Sequence, residues 1–218
     1  HQSITFYKDR FYATISYAPV DRPASWLGLP AANAQDNLLK YFGAGSVQDL
    51  KRIIDDDVCP VLVPYDCPPQ NQISYALKFA KVQKPERNLN DAGFFEDYHD
   101  PSDIDKFDWP DPEKGLDREE AKRRAKSIDE EYARVGLMWS CHFQNACAAF
   151  GMEEALIVML TNPAMYVAVI DRITKFYLRV NELFYEATKG YLEAVLIGND
   201  FGGQQNLMLS PDNIREFV

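Results

Sequence analysis

Short, nearly uninterrupted apolar runs alternate with stretches of helical spacing, and this alternation is the tightest constraint on how the chain folds. The runs are residues 23–27, 58–65, 135–140 and 192–197. Strands that are apolar on both faces belong to parallel sheets covered by helices. Between them, 6–17 places Tyr7, Phe11 and Ile15 four residues apart and stops before Pro19. The stretch 32–42 ends at Gly43, and Ser46 caps a short helix through 54 with Asp49 in its first turn. Residues 116–134 read as a charged amphipathic helix and 144–160 as another. Asn162-Pro163 opens a long helix with apolar positions 166, 169, 170, 173, 176, 177, 180, 183, 184 and 187, which Gly190 closes. Right-handed βαβ units are therefore expected. An open doubly wound sheet and a (β/α) barrel both satisfy the pattern. Residues 73–82 alternate as a further strand or hairpin arm.

The chain has 218 residues, 46% of them apolar, with a net charge of −10. One globular domain, 1–218, is expected, burying roughly 70% of its unfolded surface. Nucleic-acid binding requires clustered cations against phosphate. Here the densest basic run (Lys122, Arg123, Arg124, Lys126) is interleaved with Glu119, Glu120, Asp129 and Glu130, as on a solvated helix face. No apolar stretch approaches the roughly 18 residues that span a bilayer, and no signal peptide is read at the start. Cys59, Cys67, Cys141 and Cys147 are too scattered for a disulfide framework, so a reducing, cytoplasmic setting is expected. Residues 84–115 form a surface excursion rich in carboxylates, pinned by Phe94, Phe95, Phe107 and Trp109, or else a lid or partner surface. The chain begins at His1 and stops in a helix that Ser210 caps and Pro211 opens, as a piece of something longer would.

Sites in parallel α/β folds form just past the C-terminal ends of strands. That rule selects 28–30, 65–67, 140–144 and 198–205. In the last segment Asn199-Asp200 emerges from an apolar strand and two glycines follow, which places a carboxylate beside open backbone amides. Asp200 reads either as the cap of the next turn or as a substrate-facing acceptor whose pKa is raised by desolvation. His142 reads either as a helix-start histidine satisfied by backbone or as a group that binds substrate, moves a proton or ligates a metal. These two are the catalytic candidates. Asn199, Gln144, Trp26, Tyr65, Trp139 and Phe201 are expected to line the same cavity. The spacing of Cys141, His142 and Cys147 fits no standard zinc pattern, so no metal site is expected within this chain.

Three groups of residues resemble one family. They are Lys8-Asp9-Arg10-Phe11-Tyr12-Ala13 with Val20-Asp21-Arg22-Pro23, then Phe107-Asp108-Trp109-Pro110-Asp111-Pro112, and Leu196-Ile197-Gly198-Asn199-Asp200-Phe201-Gly202 with Leu209-Ser210-Pro211. Together they are similar to the uroporphyrinogen decarboxylase-like superfamily, which includes corrinoid-dependent methyltransferases acting on coenzyme M. The likeness spans nearly the whole chain. It implies a (β/α)8 TIM barrel of which this chain holds the N-terminal half, with about four parallel strands. Four strands cannot close that barrel, so self-association or pairing with the missing C-terminal half is expected.

The resemblance also implies an enzyme acting on a small-molecule or corrinoid-borne substrate, with methyl transfer involving a corrinoid or a thiol acceptor. Zinc would activate that thiol, on ligands beyond Val218. Decarboxylation of a polyanionic tetrapyrrole is the alternative. The family's arginine-rich motif after the first strand is replaced here by Ser25-Trp26-Leu27-Gly28-Leu29-Pro30, and no arginine or lysine falls in the four strand-end segments. A non-catalytic binding or scaffold protein is the third reading.

Overall fold

The computed structural model describes residues 6–65, 93–95, 97–138 and 140–218. The strand arm expected at 73–82, Cys67 and Trp139 lie outside them. The described part is a mixed α/β structure. In chain order it holds α1 (Tyr7–Ile15), α2 (Ala32–Phe42), α3 (Val47–Ile53), β1 (Val58–Leu62), α4 (Pro112–Gly115), α5 (Arg118–Ser127) and β2 (Ala133–Leu137). Then follow α6 (His142–Phe150), α7 (Met152–Thr161), α8 (Pro163–Ala187), β3 (Ala194–Leu196) and α9 (Pro211–Phe217). The sheet is small and open, in the order β1-β2-β3. β1 and β2 run parallel, Val58 opposite Ala133 through Leu62 opposite Leu137. Among the described residues no helix is long and apolar enough to cross a membrane. The chain resolves into two compact units, each drawn from three stretches of sequence.

The first unit comprises His1–Leu62, Lys122–Leu137 and Thr188–Val195. Helix α1 contacts β1 and β2, with Tyr7 stacked at 4.6 Å on the buried Tyr132. The expected helix signals operate: Gly43 takes φ +64 after α2, and Ser46 Oγ accepts the Asp49 N–H at 3.1 Å to open α3. Glu193 ties β3 to β2, its carboxylate accepting from the Arg134 backbone at 2.7 Å and guanidinium at 2.9 Å.

Three consecutive acids, Asp55, Asp56 and Asp57, lead into β1 and meet three cations. Asp57 is fully buried and accepts from Arg10 Nη1 at 2.5 Å, Arg22 Nη1 at 2.7 Å and the Ser25 N–H at 2.8 Å. Its own N–H donates to the Ser25 carbonyl, and its carbonyl accepts from the Ala133 N–H, each at 3.0 Å. Asp56 accepts from the Leu27 N–H at 3.1 Å and from Lys51 Nζ at 2.5 Å. Lys51 is itself buried and also donates to the Val58 carbonyl. Asp55 pairs with Arg22 at 2.6 Å. On the outside, Arg10 bonds Asp21 at 3.0 Å, which holds the Asp21 carboxyl below the usual carboxylate range and raises Arg10 in turn.

This network corrects the strand expected at 23–27. The Ser25 and Leu27 N–H groups go to the carboxylates of Asp57 and Asp56 rather than to a strand ladder, so the segment lies beside the acids without becoming a strand. The helix expected over 116–134 is also shorter. It stops at Ser127, whose hydroxyl donates to the Arg124 carbonyl. A turn then closes with the Tyr132 N–H on the Asp129 carbonyl, and Ala133 enters β2.

The second unit comprises Val63–Ala121, Met138–Ala187 and Leu196–Val218. It is organised on α8, whose expected stripe from Tyr166 to Phe184 is buried throughout. α6 and α7 pack on it. They were expected as one helix over 144–160, but Gly151 adopts φ +89, a value that side chains resist, and divides them. In the described part of the 84–115 stretch the four aromatics cluster, and Phe95 also lies 5.9 Å from Phe150 of α6. Phe95, 1% exposed, lies 5.0 Å from Phe107 and 5.5 Å from Trp109, and Phe94 lies 5.5 Å from Phe107. At α9, Ser210 Oγ accepts the Asn213 N–H at 3.1 Å with Pro211 in the first turn, as the sequence predicts.

Removing one partner of a buried charge network leaves the others uncompensated, at a cost of about 3–5 kcal/mol. Asp57→Ala should therefore lower the unfolding free energy by about that amount in urea titrations followed by circular dichroism. Asp21→Ala, at the exposed end of the same network, should have a much smaller effect. Equal losses from the two variants would contradict this account.

Candidate functional site

The segment after β2 turns sharply before α6 begins. Ser140 is buried with φ +45, and Cys141 follows at φ −79, ψ 74, with the His142 N–H donating to the Ser140 carbonyl at 2.9 Å. That is an inverse γ-turn. It satisfies the first of the N–H groups that every helix start leaves unpaired. The second, on Phe143, is satisfied from a distant part of the chain: it donates to Asn199 Oδ1 at 3.1 Å. Asn199 thus caps α6 from the segment after β3.

This bond settles the chemistry of the histidine. An N–H can only donate, so the Asn199 oxygen faces Phe143 and its NH2 faces His142 Nδ1, at 3.1 Å. Nδ1 is therefore the acceptor. In the neutral ring the hydrogen then sits on Nε2, which lies 3.3 Å from the main-chain oxygen of Val218. The half-buried His142 is a hydrogen-bond donor at Nε2, braced from behind by an amide.

The structure brings together part of the expected site. His142 and Asn199 are bonded, and the Phe201 ring lies 5.3 Å from that of Phe143. Gln144 is half-buried in the first turn of α6. Asp200 is exposed and accepts the Gly202 N–H at 3.3 Å, so the desolvation expected of it is absent. The open amides expected after it are also used internally. Gly203 donates to the Asn206 carbonyl, and Gly202 pairs with Leu207 in a tight antiparallel turn. Tyr65 is buried, edge-on to Phe176 at 5.4 Å, with its hydroxyl donating to the Asp111 carbonyl. Trp26 belongs to the first unit, half-buried, and Trp139 lies outside the described residues.

The three cysteines among the described residues are buried. Burial raises the Cys141 thiol and pushes Cys147 up to about 12 and Cys59 to about 11, so they stay protonated at neutral pH. Among the described residues no group of three or more His, Cys, Asp or Glu could hold a metal ion. The first unit carries a surface hollow of about 540 Å³ between Gln48, Ile128 and Tyr191. Three of its charges are engaged: Arg134 with Glu193, Lys126 over the Tyr191 ring at 5.5 Å, and Asp129 with Arg52 at 3.4 Å.

Sequence reasoning missed the groups behind the histidine. Asn181 Nδ2 donates to Ser140 Oγ at 2.9 Å, and Asn145 Nδ2 donates to the Tyr177 hydroxyl. The available signal was polarity at buried helical positions, since Asn181 stands four residues after Tyr177 on the α8 stripe. No protein-family model, curated protein or solved structure matches the chain.

Asn199→Leu removes the partner of both the Phe143 N–H and His142 Nδ1. It should cost about 1–3 kcal/mol of unfolding free energy, the usual penalty for stranded polar groups. A variant as stable as the parent in urea would show that the amide does not cap α6.

Proposed function

We propose that the chain is part of a (β/α)8 enzyme of the uroporphyrinogen decarboxylase-like superfamily, acting in methyl transfer between a corrinoid-borne or other small-molecule donor and a thiol acceptor. The reading rests on the resemblance in the sequence. The observation that carries its site is the His142–Asn199 pair, which joins the segments following two parallel-sheet strands at 3.1 Å. Convergence of strand-end segments is how barrel enzymes assemble a site from residues distant in sequence. His142 then offers its Nε2 hydrogen to an electronegative atom of the substrate in place of the Val218 main-chain oxygen, Asn199 fixes the ring, and Phe201, packed on the buried Phe143, lends an apolar edge.

Charge favours this reading over tetrapyrrole decarboxylation. A polycarboxylate needs free guanidinium groups, and the arginines of the described residues are engaged within the chain. Arg10 and Arg22 meet Asp57, Arg134 meets Glu193, Arg179 meets Glu113 and Glu182, and Arg172 lies over Trp109 at 5.6 Å. Zinc has no ligand set among the described residues, and no step is assigned to it. The reading extends to a cytoplasmic protein whose open sheet is completed by further barrel strands or by a second copy.

The test is the complete gene product incubated with methylcobalamin and 2-mercaptoethanesulfonate, with the methyl thioether measured by mass spectrometry. Thioether should form above the protein-free rate, and His142→Phe should lower turnover at least about tenfold, roughly 1.4 kcal/mol of barrier. No thioether, with carbon dioxide released from uroporphyrinogen instead, would overturn methyl transfer in favour of decarboxylation.

A further inference from the structure

Three non-glycine residues adopt positive φ among those described: Tyr17, Asp55 and Ser140. Tyr17 is 97% exposed after α1, and Asp55 is held by Arg22. Ser140 differs from both, because it is buried and lies two residues before His142. A left-handed serine persists only where its surroundings over-determine it. Here they do. Ser140 Oγ donates to the Met138 carbonyl at 3.1 Å and accepts from Asn181 Nδ2 at 2.9 Å, while its carbonyl accepts the His142 N–H. One turn into α6, Asn145 makes a second tie to α8 at Tyr177.

Stability does not account for these groups. Asn145 is fully buried and Asn181 is 8% exposed, yet the side-chain oxygen of each has no hydrogen-bond partner. Burying an amide with its acceptor unmet is costly. An apolar residue at 181 would continue the α8 stripe without that penalty. Strained backbone and half-met polar groups in a core belong where geometry matters more than stability.

We propose that Ser140 and Asn181 form a strained cradle that positions His142, aiming its Nε2 toward substrate while Asn199 fixes the ring from the other side. Asn181 acts through Ser140 and touches no substrate; both are positioning residues. The proposal rests on the reading of His142 as the substrate-facing donor. Ser140→Gly relieves the left-handed strain, and Asn181→Leu replaces the stranded amide by packing.

The experiment uses the complete gene product labelled with ¹⁵N-histidine. The tautomer of His142 is read from its ring nitrogens by long-range ¹H–¹⁵N correlation, beside the melting temperature. Asn181→Leu should melt at or above the parent temperature, whereas Ser140→Gly, which relieves the strain but strands Asn181 Nδ2, should melt lower and remain folded. In both, His142 should lose its single Nε2–H tautomer and give exchange-averaged nitrogens, with thioether turnover falling in parallel. Ring signals unchanged in Ser140→Gly would overturn the proposal, and this variant decides alone if Asn181→Leu does not fold. Because the tautomer is read without substrate, the two readings fail separately. A tautomer that responds in a protein forming no thioether supports the cradle and removes methyl transfer.

Discussion

The buried carboxylate of Asp57 is the interaction on which the first unit depends. It gathers Arg10 from α1, Arg22 from the following segment and the Ser25 amide, while its own backbone bonds Ser25 on one side and Ala133 of β2 on the other. A lone buried carboxylate would be prohibitive. Two guanidinium groups make it tolerable, and the Ser25 N–H and hydroxyl add two further donors. Lys51 does the same for Asp56, so the acids preceding β1 are neutralised where the strand begins. The Asp21-Arg22-Pro23 run thereby acquires a physical meaning: Arg22 reaches the acids, Asp21 steadies Arg10, and Pro23 fixes the backbone φ that follows Arg22.

The second unit solves a different problem. The apolar stripe of α8 holds α6 and α7 by burial, with little demand for polar pairing. Its polar exceptions collect behind one residue, His142. The histidine is bonded at Nδ1 by Asn199, and the turn that introduces it is clamped by Asn181. The result is a ring held in one orientation, with Nδ1 facing Asn199 and Nε2 facing the main-chain oxygen of Val218.

Elements that a single period or cap decides were legible in the sequence. The stripe of α8, the Gly43 stop, and the Ser46 and Ser210 caps all appear where residue chemistry places them. Features that depend on a partner distant in sequence were not. Residues 23–27 have the composition of a strand, and only Asp56 and Asp57, some thirty residues later, divert their amides. The break at Gly151 was open to reading as a tolerated helical glycine. At the site, the meeting of His142 with Asn199 followed from strand-end logic. Ser140 and Asn181 did not, because an unusual φ and a buried amide leave only a faint mark in the sequence: one polar residue on an apolar helix face.

The claim that carboxylates, not a strand ladder, organise the start of the chain is tested most directly by amide hydrogen exchange at Ser25 and Leu27. These amides lie outside any strand, yet they are bonded to Asp57 at 2.8 Å and Asp56 at 3.1 Å. The account predicts that both exchange as slowly as the amides of β1. Exchange at the rate of an unstructured peptide would contradict it.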